Sequence, residues 1–113
     1  MRQLPLNVKA YAVLDGSGNG TAEIGPLSPG EVWSGMTVSV KVAANAKEAT
    51  CSIYSGAAAT PAYFADATTW GSTGDSTGNV RDVRVGGSVF AVWSGGDAGA
   101  QATMTVSGTK TVR

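Results

Sequence analysis

Apolar and polar residues alternate with a period of two along most of the 113-residue chain. The clearest run follows Trp33, where four apolar residues alternate with three polar ones over residues 36–42 (MTVSVKV). A second run, over residues 8–14, places Val, Ala, Ala and Leu on one side and Lys, Tyr and Val on the other. Because successive side chains of a strand point to opposite faces, this period predicts strands with one face in a core.

Segments rich in Gly and Pro separate the alternating runs. Residues 15–20 (DGSGNG) predict a turn that joins a strand at 8–14 to one at 21–24 as a hairpin. Residues 25–30 (GPLSPG) contain two prolines and end that pairing. Further strands are predicted over residues 32–42, 50–54, 79–85, 88–93 and 100–107. Loops are predicted over residues 43–49 and 71–78, and a short strand plus loop over residues 57–69.

These seven to nine short strands with frequent turns predict an all-β protein, an antiparallel β-sandwich of jelly-roll type. Only residues 43–49 have a helix-compatible composition, and seven residues are too few for a stable helix. Residues 8–113 are expected to form one domain. Residues 1–7 carry Arg2 and Pro5 and show no alternation, so we expect an N-terminal arm that lies outside the core and is disordered in the free protein.

Composition narrows the function classes. Eight basic and eight acidic residues give zero net charge, and charged residues are 14% of the chain, which disfavours nucleic-acid binding. Histidine is absent and Cys51 is the single cysteine, so zinc clusters, internal disulfides and His-dependent catalysis are not expected. No apolar run is long enough to span a membrane, and the start has no signal-peptide pattern. We therefore expect a protein made in the cytoplasm, without membrane contact or cofactor.

The acidic residues do not predict a catalytic or metal site. The run from Asp15 to Gly20 has the oxygen side chains of the first half of an EF-hand calcium loop, but Pro26 stands where the closing carboxylate belongs. A hairpin turn is the preferred interpretation. The other carboxylates fall mostly at predicted turns, and no spacing selects a pair for glycoside hydrolysis. We expect a protein that is not an enzyme.

A four-residue motif occurs twice, as Val-Trp-Ser-Gly at residues 32–35 and again at residues 92–95. We expect Trp33 and Trp93 to be buried, each filling one end of the sandwich where a strand meets a glycine. The alternative is a ligand groove shared by the two rings.

Seven residues are candidates for interaction with a partner: Arg2, Leu4, Tyr63, Phe64, Trp70, Arg81 and Arg84. The two residues of the arm, Arg2 and Leu4, would dock by adding a strand to the edge of a neighbour. Arg81 and Arg84 flank Asp82 and are expected to form a solvated face, to protect a sheet edge, or to make a salt bridge between subunits. The three aromatic residues would stack on sugars if the protein binds glycans.

Three stretches together resemble small virion structural and accessory proteins of tailed bacteriophages that infect actinobacteria. They are residues 13–21 (VLDGSGNGT) with Gly25-Pro26, residues 51–56 (CSIYSG) and residues 92–103 (VWSGGDAGAQAT). The resemblance implies a virion component, and it carries no functional residues. We expect a head decoration protein that assembles as a homo-oligomer or lattice on the phage coat. The alternative is a tail-associated protein or a receptor- or carbohydrate-binding module.

Overall fold

A computed structural model of the chain describes residues 2–42, 49–70, 75–78 and 80–112. This part of the chain forms nine β-strands and one 3₁₀ turn at Pro61–Tyr63, without an α-helix. None of its helical segments is long and apolar enough to cross a membrane. The strands are β1 Arg2–Val13, β2 Gly20–Ile24, β3 Val32–Val42, β4 Ala49–Gly56, β5 Phe64–Trp70, β6 Asp75–Thr77, β7 Val83–Arg84, β8 Ser88–Ser94 and β9 Gln101–Val112.

The strands form two antiparallel sheets. The first has the order β1-β9-β3-β6, with β7 also paired to β3, and the second has the order β2-β8-β4-β5. Early strands pair with late ones, β1 with β9 and β2 with β8, while consecutive strands at both ends of the chain alternate between the sheets. This nested pairing is the strand order of a jelly roll, so the predicted fold class is confirmed.

The core lies between the two sheets and is built from the inward positions of the alternating runs. Burying a side chain of the size of Val, Leu or Met contributes roughly 1.5 to 3 kcal/mol. The predicted inward set of the first run packs against this core, and Cys51 and Ile53 of β4 are buried as expected. The largest fully buried apolar side chains are Leu14, Met36, Val38, Val42, Ile53, Val89, Trp93, Met104 and Val106.

The predicted N-terminal arm is wrong over residues 2–7, the part of it that the structure describes. These residues belong to β1, which pairs with β9 from Arg2 opposite Val112 onward, and Leu6 is buried. Leu4 and Leu6 continue the even-numbered apolar phase of the strand. Pro5 is tolerated because β1 is an edge strand, where a residue without an N–H can face away from the ladder.

The turn over residues 15–20 forms, but the predicted hairpin does not. The N–H of Asp15 donates to the Asn19 carbonyl oxygen at 2.8 Å, and the N–H of Gly18 donates to the Asp15 carbonyl oxygen at 2.9 Å. The flanking strands β1 and β2 belong to different sheets. The turn therefore carries the chain across the sandwich, because each strand finds its partner far away in sequence.

Two other segments differ from the prediction. The structure describes residues 80–85 of the strand expected at residues 79–85, and within them only Val83–Arg84 forms a strand. Residues 80–82 lie outside the sheet, and the Arg81 N–H donates to the Oγ of buried Ser55 at 3.1 Å. Of the loop expected at residues 71–78, Asp75–Thr77 forms β6 on the side of β3. Residues 71–74, and residues 43–48 of the other predicted loop, lie outside the described residues.

Candidate interaction surfaces

The antiparallel strands gather the connections at two ends of the sandwich. One end, here named the Leu27 end, contains the connections at residues 25–31, 57–63 and 85–87 together with the paired termini of β1 and β9. The opposite end, named the Gly18 end, contains the connections at residues 14–19 and 95–100. These two surfaces and the outer faces of the sheets are the places where a partner can reach the protein.

The Leu27 end presents an apolar side chain on a constrained loop. Leu27 is 92% exposed and lies between Pro26, which is buried, and Ser28-Pro29. The loop is closed by the N–H of Glu31, which donates to the Ser28 carbonyl oxygen at 3.1 Å. Since proline fixes one backbone torsion at each flank, the leucine is held away from the core without losing its order.

Three clefts border this loop. A cleft of about 430 Å³ lies between residues 23–27 and the turn at residues 86–88. A second, of about 310 Å³, is lined by Leu27, Trp33 and Lys110 among others. A third, of about 230 Å³, lies between Glu31, Arg84 and Val85. The exposed leucine therefore stands between concave surfaces rather than on a flat one.

The carboxylates at these clefts make hydrogen bonds within the protein. Glu31 Oε2 accepts from Trp33 Nε1 at 2.7 Å, and Glu23 Oε2 accepts from Ser88 Oγ at 2.9 Å. The first contact holds the loop residue Glu31 against β3, and the second links the paired strands β2 and β8. In each carboxylate, the acceptor oxygen therefore helps to hold the structure of the Leu27 end.

Six of the seven predicted interaction residues lie at the Leu27 end, five of them in two groups and Arg84 apart from both. Arg2 and Leu4 are at the start of edge strand β1. Tyr63, Phe64 and Arg81 are at the opposite edge of the other sheet, where Arg81 Nη1 donates to the Ala62 carbonyl oxygen at 3.4 Å. The sixth residue, Arg84, is on β7 beside the start of β3, and it lines the third cleft. The seventh, Trp70, ends β5 at the opposite end of the sandwich.

The three aromatic residues predicted to stack on sugars are not brought together. Phe64 and Trp70 stand at opposite ends of β5, about 20 Å apart at the rise of a strand. Phe64 instead packs edge to face on Tyr54, with ring centroids 5.8 Å apart and an interplanar angle of 76°. Perpendicular rings do not present one flat platform to a sugar.

An aromatic row that the sequence analysis missed crosses the outer face of the second sheet. The register places Phe90 opposite Tyr54 and Tyr54 opposite Phe64, with Glu23 on the far side of Phe90. The signal was present in the sequence, because Phe90 is out of phase with the inward residues Val89 and Ala91. Cross-strand aromatic pairs of this kind stabilise a sheet by a few tenths to about 1 kcal/mol each.

The outer face of the first sheet is a field of small hydroxyl side chains. Along β9 and β3 the outward positions are Thr103, Thr105, Ser107, Thr109 and Thr111, opposite Lys41, Ser39, Thr37, Ser34 and Val32. Lys9 of β1 and Lys41 of β3 are its charged neighbours. The β3 part of this face is the small polar surface that alternation predicted.

The acidic turn at the Gly18 end uses its carboxylate internally. The Asp15 side chain accepts hydrogen bonds from the backbone N–H groups of Asn19 and Ser17, at 3.0 and 2.9 Å. These two bonds, that of Asn19 first, lower the pKa of Asp15 below its usual 3.8. Across the described ranges no group of three or more His, Cys, Asp or Glu side chains is arranged to hold a metal ion.

The two tryptophans of the repeated motif are buried, which confirms their predicted position. Trp33 is 4% exposed at the Leu27 end, and Trp93 is fully buried towards the Gly18 end. Cys51 is the register partner of Trp93, and burial raises the pKa of its thiol to about 12. This environment makes Cys51 a packing residue.

Comparisons with known proteins supply no family for the chain: no protein-family model matches it, and no curated protein or solved structure is significantly similar to it.

Proposed function

We propose that the protein is a non-enzymatic structural component of a tailed-bacteriophage virion, and that it decorates the head by docking its Leu27 end onto the coat lattice. The observation that carries this proposal is the Leu27 loop with its flanking clefts. A lone exposed leucine is common on protein surfaces. A leucine on a proline-flanked loop between three clefts is instead suited to be the buried anchor of an interface, because little order is lost when it docks.

Two further observations support assembly over catalysis. The carboxylates of Asp15 and Glu31 accept hydrogen bonds that hold loops in place, and that of Glu23 links β2 to β8, so these contacts serve the fold. Jelly rolls are also used in viral capsid and lectin domains. Because one fold serves many functions, the choice of a phage head rests on the resemblance of the three sequence stretches and on the Leu27 anchor.

The test is the location and copy number of the protein in purified virions. Heads and tails are separated and the 11.3 kDa protein is quantified in each fraction. A decoration protein will be present in many copies and remain with the heads. A few copies that are lost with the tails would contradict the proposal.

The docking surface is tested with two matched variants, Leu27→Asp and Ser17→Asp. Both introduce one carboxylate at an exposed loop position, the first at the Leu27 end and the second at the Gly18 end. We expect the first variant to lose binding to undecorated heads and the second to bind as the wild type does. Equal binding by both would remove the Leu27 end from the interface.

A carbohydrate-binding module of the tail is the second candidate, and the single ring of Phe64, exposed on the outer face of the second sheet, favours it. Phe64 is 44% exposed there, beside Tyr54. A protein that stacks a sugar ring on an exposed aromatic side chain binds the sugar more weakly when that side chain is truncated. Binding to host cell-wall glycan that is abolished by Phe64→Ala, together with a tail location, would establish this candidate in place of the first.

A further inference from the structure

We propose that the free edge of β1 pairs with β1 of a second copy of the chain, in one antiparallel register in which residue i lies opposite residue 20 − i. The contact joins the two five-stranded first sheets into one continuous sheet of ten strands. This inference goes beyond the proposed head decoration and does not depend on it, since it concerns contact between copies of this chain.

β1 lies at an edge of the first sheet, so some of its main-chain groups point away from β9. β1 has one partner among the described strands, β9, and twelve consecutive residues pair with it. Just past the strand, the N–H of Leu14 donates to Ala100 and its carbonyl oxygen accepts from Gly99. Main-chain groups alternate in direction along a strand. The even-numbered residues of β1 therefore bond to β9, and the odd-numbered ones direct their N–H and C=O groups to the open edge.

Pro5 divides the open edge of β1 into two parts. Pro5 has an odd number, so its missing N–H is missing from the open side. The donors on that side from Asn7 to Val13, at residues 7, 9, 11 and 13, form an uninterrupted series. Edge strands are usually protected against pairing by prolines and lysines. Here the proline blocks the first third of the edge and leaves the remainder able to pair.

The positions of these donors favour one register between the two copies of β1. An antiparallel two-fold pair centred on Ala10 uses all four donors of each copy, which gives about eight main-chain hydrogen bonds. Moving the centre to Lys9 places two lysines directly opposite each other and brings Pro5 into the ladder. Moving it to Tyr11 keeps three of the four donors and places Lys9 opposite Val13. The register centred on Ala10 is therefore the best that this sequence allows.

The side chains of the two copies also match in that register. On the outer face Lys9 lies opposite Tyr11 of the second copy, and a lysine ammonium beside an aromatic ring is favourable. On the inner face all pairs are apolar: Ala10 with Ala10, Val8 with Ala12, and Leu6 with Leu14. Tyr11 and Val13 are 59% and 69% exposed in the single chain, and the contact covers part of both.

Mass measurement with two proline variants tests the edge. The wild type is expected to double its 11.3 kDa mass with rising concentration in analytical ultracentrifugation. Tyr11→Pro removes a donor inside the paired stretch, and Gln3→Pro removes one on the same edge outside it. We expect the first variant to stay a single chain and the second to double as the wild type does. A wild type that remains a single chain up to the millimolar range, or a Tyr11→Pro variant that still doubles, would overturn the proposal.

Charge exchange tests the register and does not depend on the proline variants folding. Tyr11→Lys places a lysine opposite Lys9 twice in each dimer, and we expect it to weaken association roughly tenfold. Adding Lys9→Glu to that variant restores opposite charges across the contact in this register alone, and association should recover. In addition, Ala10→Cys should form a disulfide-linked dimer on oxidation, because Ala10 faces its own copy at a distance that a disulfide spans. Failure of the double variant to recover would overturn the register.

Discussion

The two copies of the Val-Trp-Ser-Gly motif form the same local structure and then lead to different ones. Trp33 and Trp93 both point into the core, and the glycine two residues later has a positive φ in each copy, 58° at Gly35 and 77° at Gly95. After Gly35 the strand continues past a bulge, with a register shift between Ser34 and Thr37. After Gly95 the strand is over.

The difference comes from the residues that follow the motif. Met36 begins an alternating run that can pair and pack, so the left-handed glycine is absorbed as an extra residue within a strand. Gly95 is followed by Gly96, Asp97, Ala98 and Gly99, which cannot bury a face. A short motif thus sets the local backbone, and the flanking pattern decides whether the element goes on.

The two tryptophans also differ in polarity. Trp33 Nε1 donates to Glu31 at the border of an open cleft, whereas Trp93 Nε1 is buried without an acceptor among the described residues. The Gly18 end is closely packed, because a Cβ atom built on Gly18 would collide with the Gly96 carbonyl oxygen. The comparison predicts a rigid, closed Gly18 end and a more accessible Leu27 end.

Replacing Trp93 by Ala is expected to have the largest effect, about 3 to 5 kcal/mol of unfolding free energy. The ring is fully buried, so its removal leaves a cavity that solvent does not fill easily. Trp33→Ala should cost less, about 3 kcal/mol, because that ring borders a cleft. Urea unfolding of both variants measures the difference, and a larger loss for Trp33→Ala would contradict the comparison.

Cys51 offers a local measurement of the same effect. Its thiol is buried beside Trp93 and has a pKa of about 12, so it should resist thiol reagents in the native protein. Trp93→Ala should accelerate labelling of the native state, and Trp33→Ala should do so much less. Equal acceleration by the two variants would show that the ends do not open independently.

Gly18→Ala should destabilise by roughly 2 to 4 kcal/mol, from a left-handed backbone and a collision with the Gly96 backbone. Gly99→Ala is the matched control at the same end: its φ of 79° is nearly equal to the 77° of Gly18, but a Cβ there meets open space. Its expected cost is about 1 to 2 kcal/mol. The midpoints of denaturant unfolding, compared between variants of equal m-value, measure both losses of unfolding free energy. Equal costs would mean that the Gly18 end yields to the added methyl group.

Period-two alternation was enough to predict β3, β4, β8 and β9, because their inward side chains fill the core. It was also present before residue 8, in Leu4 and Leu6, but Pro5 obscured it. A proline is compatible with a strand at an edge, and an edge is a property of the whole sheet that one strand's sequence does not contain.

Strand pairing was beyond the sequence pattern. Residues 15–20 form the turn that their composition predicts, yet β1 pairs with β9, about a hundred residues away, instead of β2. A two-strand hairpin and a crossing between sheets use the same turn residues. The Leu27 site was missed for a similar reason, since its clefts bring together two connections, at residues 25–31 and 85–87, and strand residues that are distant in the chain.

The hydrogen bond between Trp33 and Glu31 should contribute about 1 kcal/mol, the usual net contribution of an intramolecular hydrogen bond, since it is partly buried. A double-mutant cycle with Trp33→Phe and Glu31→Ala measures the coupling. The exposed contact between Ser88 and Glu23 is the control and should couple more weakly. If the control pair couples more strongly, burial does not determine which of the two carboxylate contacts at the Leu27 end is the stronger.

The smallest effect is expected at the exposed turn of the Gly18 end, where backbone N–H groups lower the pKa of Asp15. The folded state then favours the carboxylate more than the unfolded chain does, for which the pKa is the usual 3.8. The resulting stabilisation is fully present at pH values above the unfolded pKa of 3.8. It is lost as the pH falls through the lower pKa that Asp15 has in the folded protein. Asp15→Ala should therefore destabilise at neutral pH, and its difference from the wild type should shrink in strongly acid solution. Paired unfolding curves at both pH values measure this, and a difference that does not change with pH would show that the charge of Asp15 does not hold the turn.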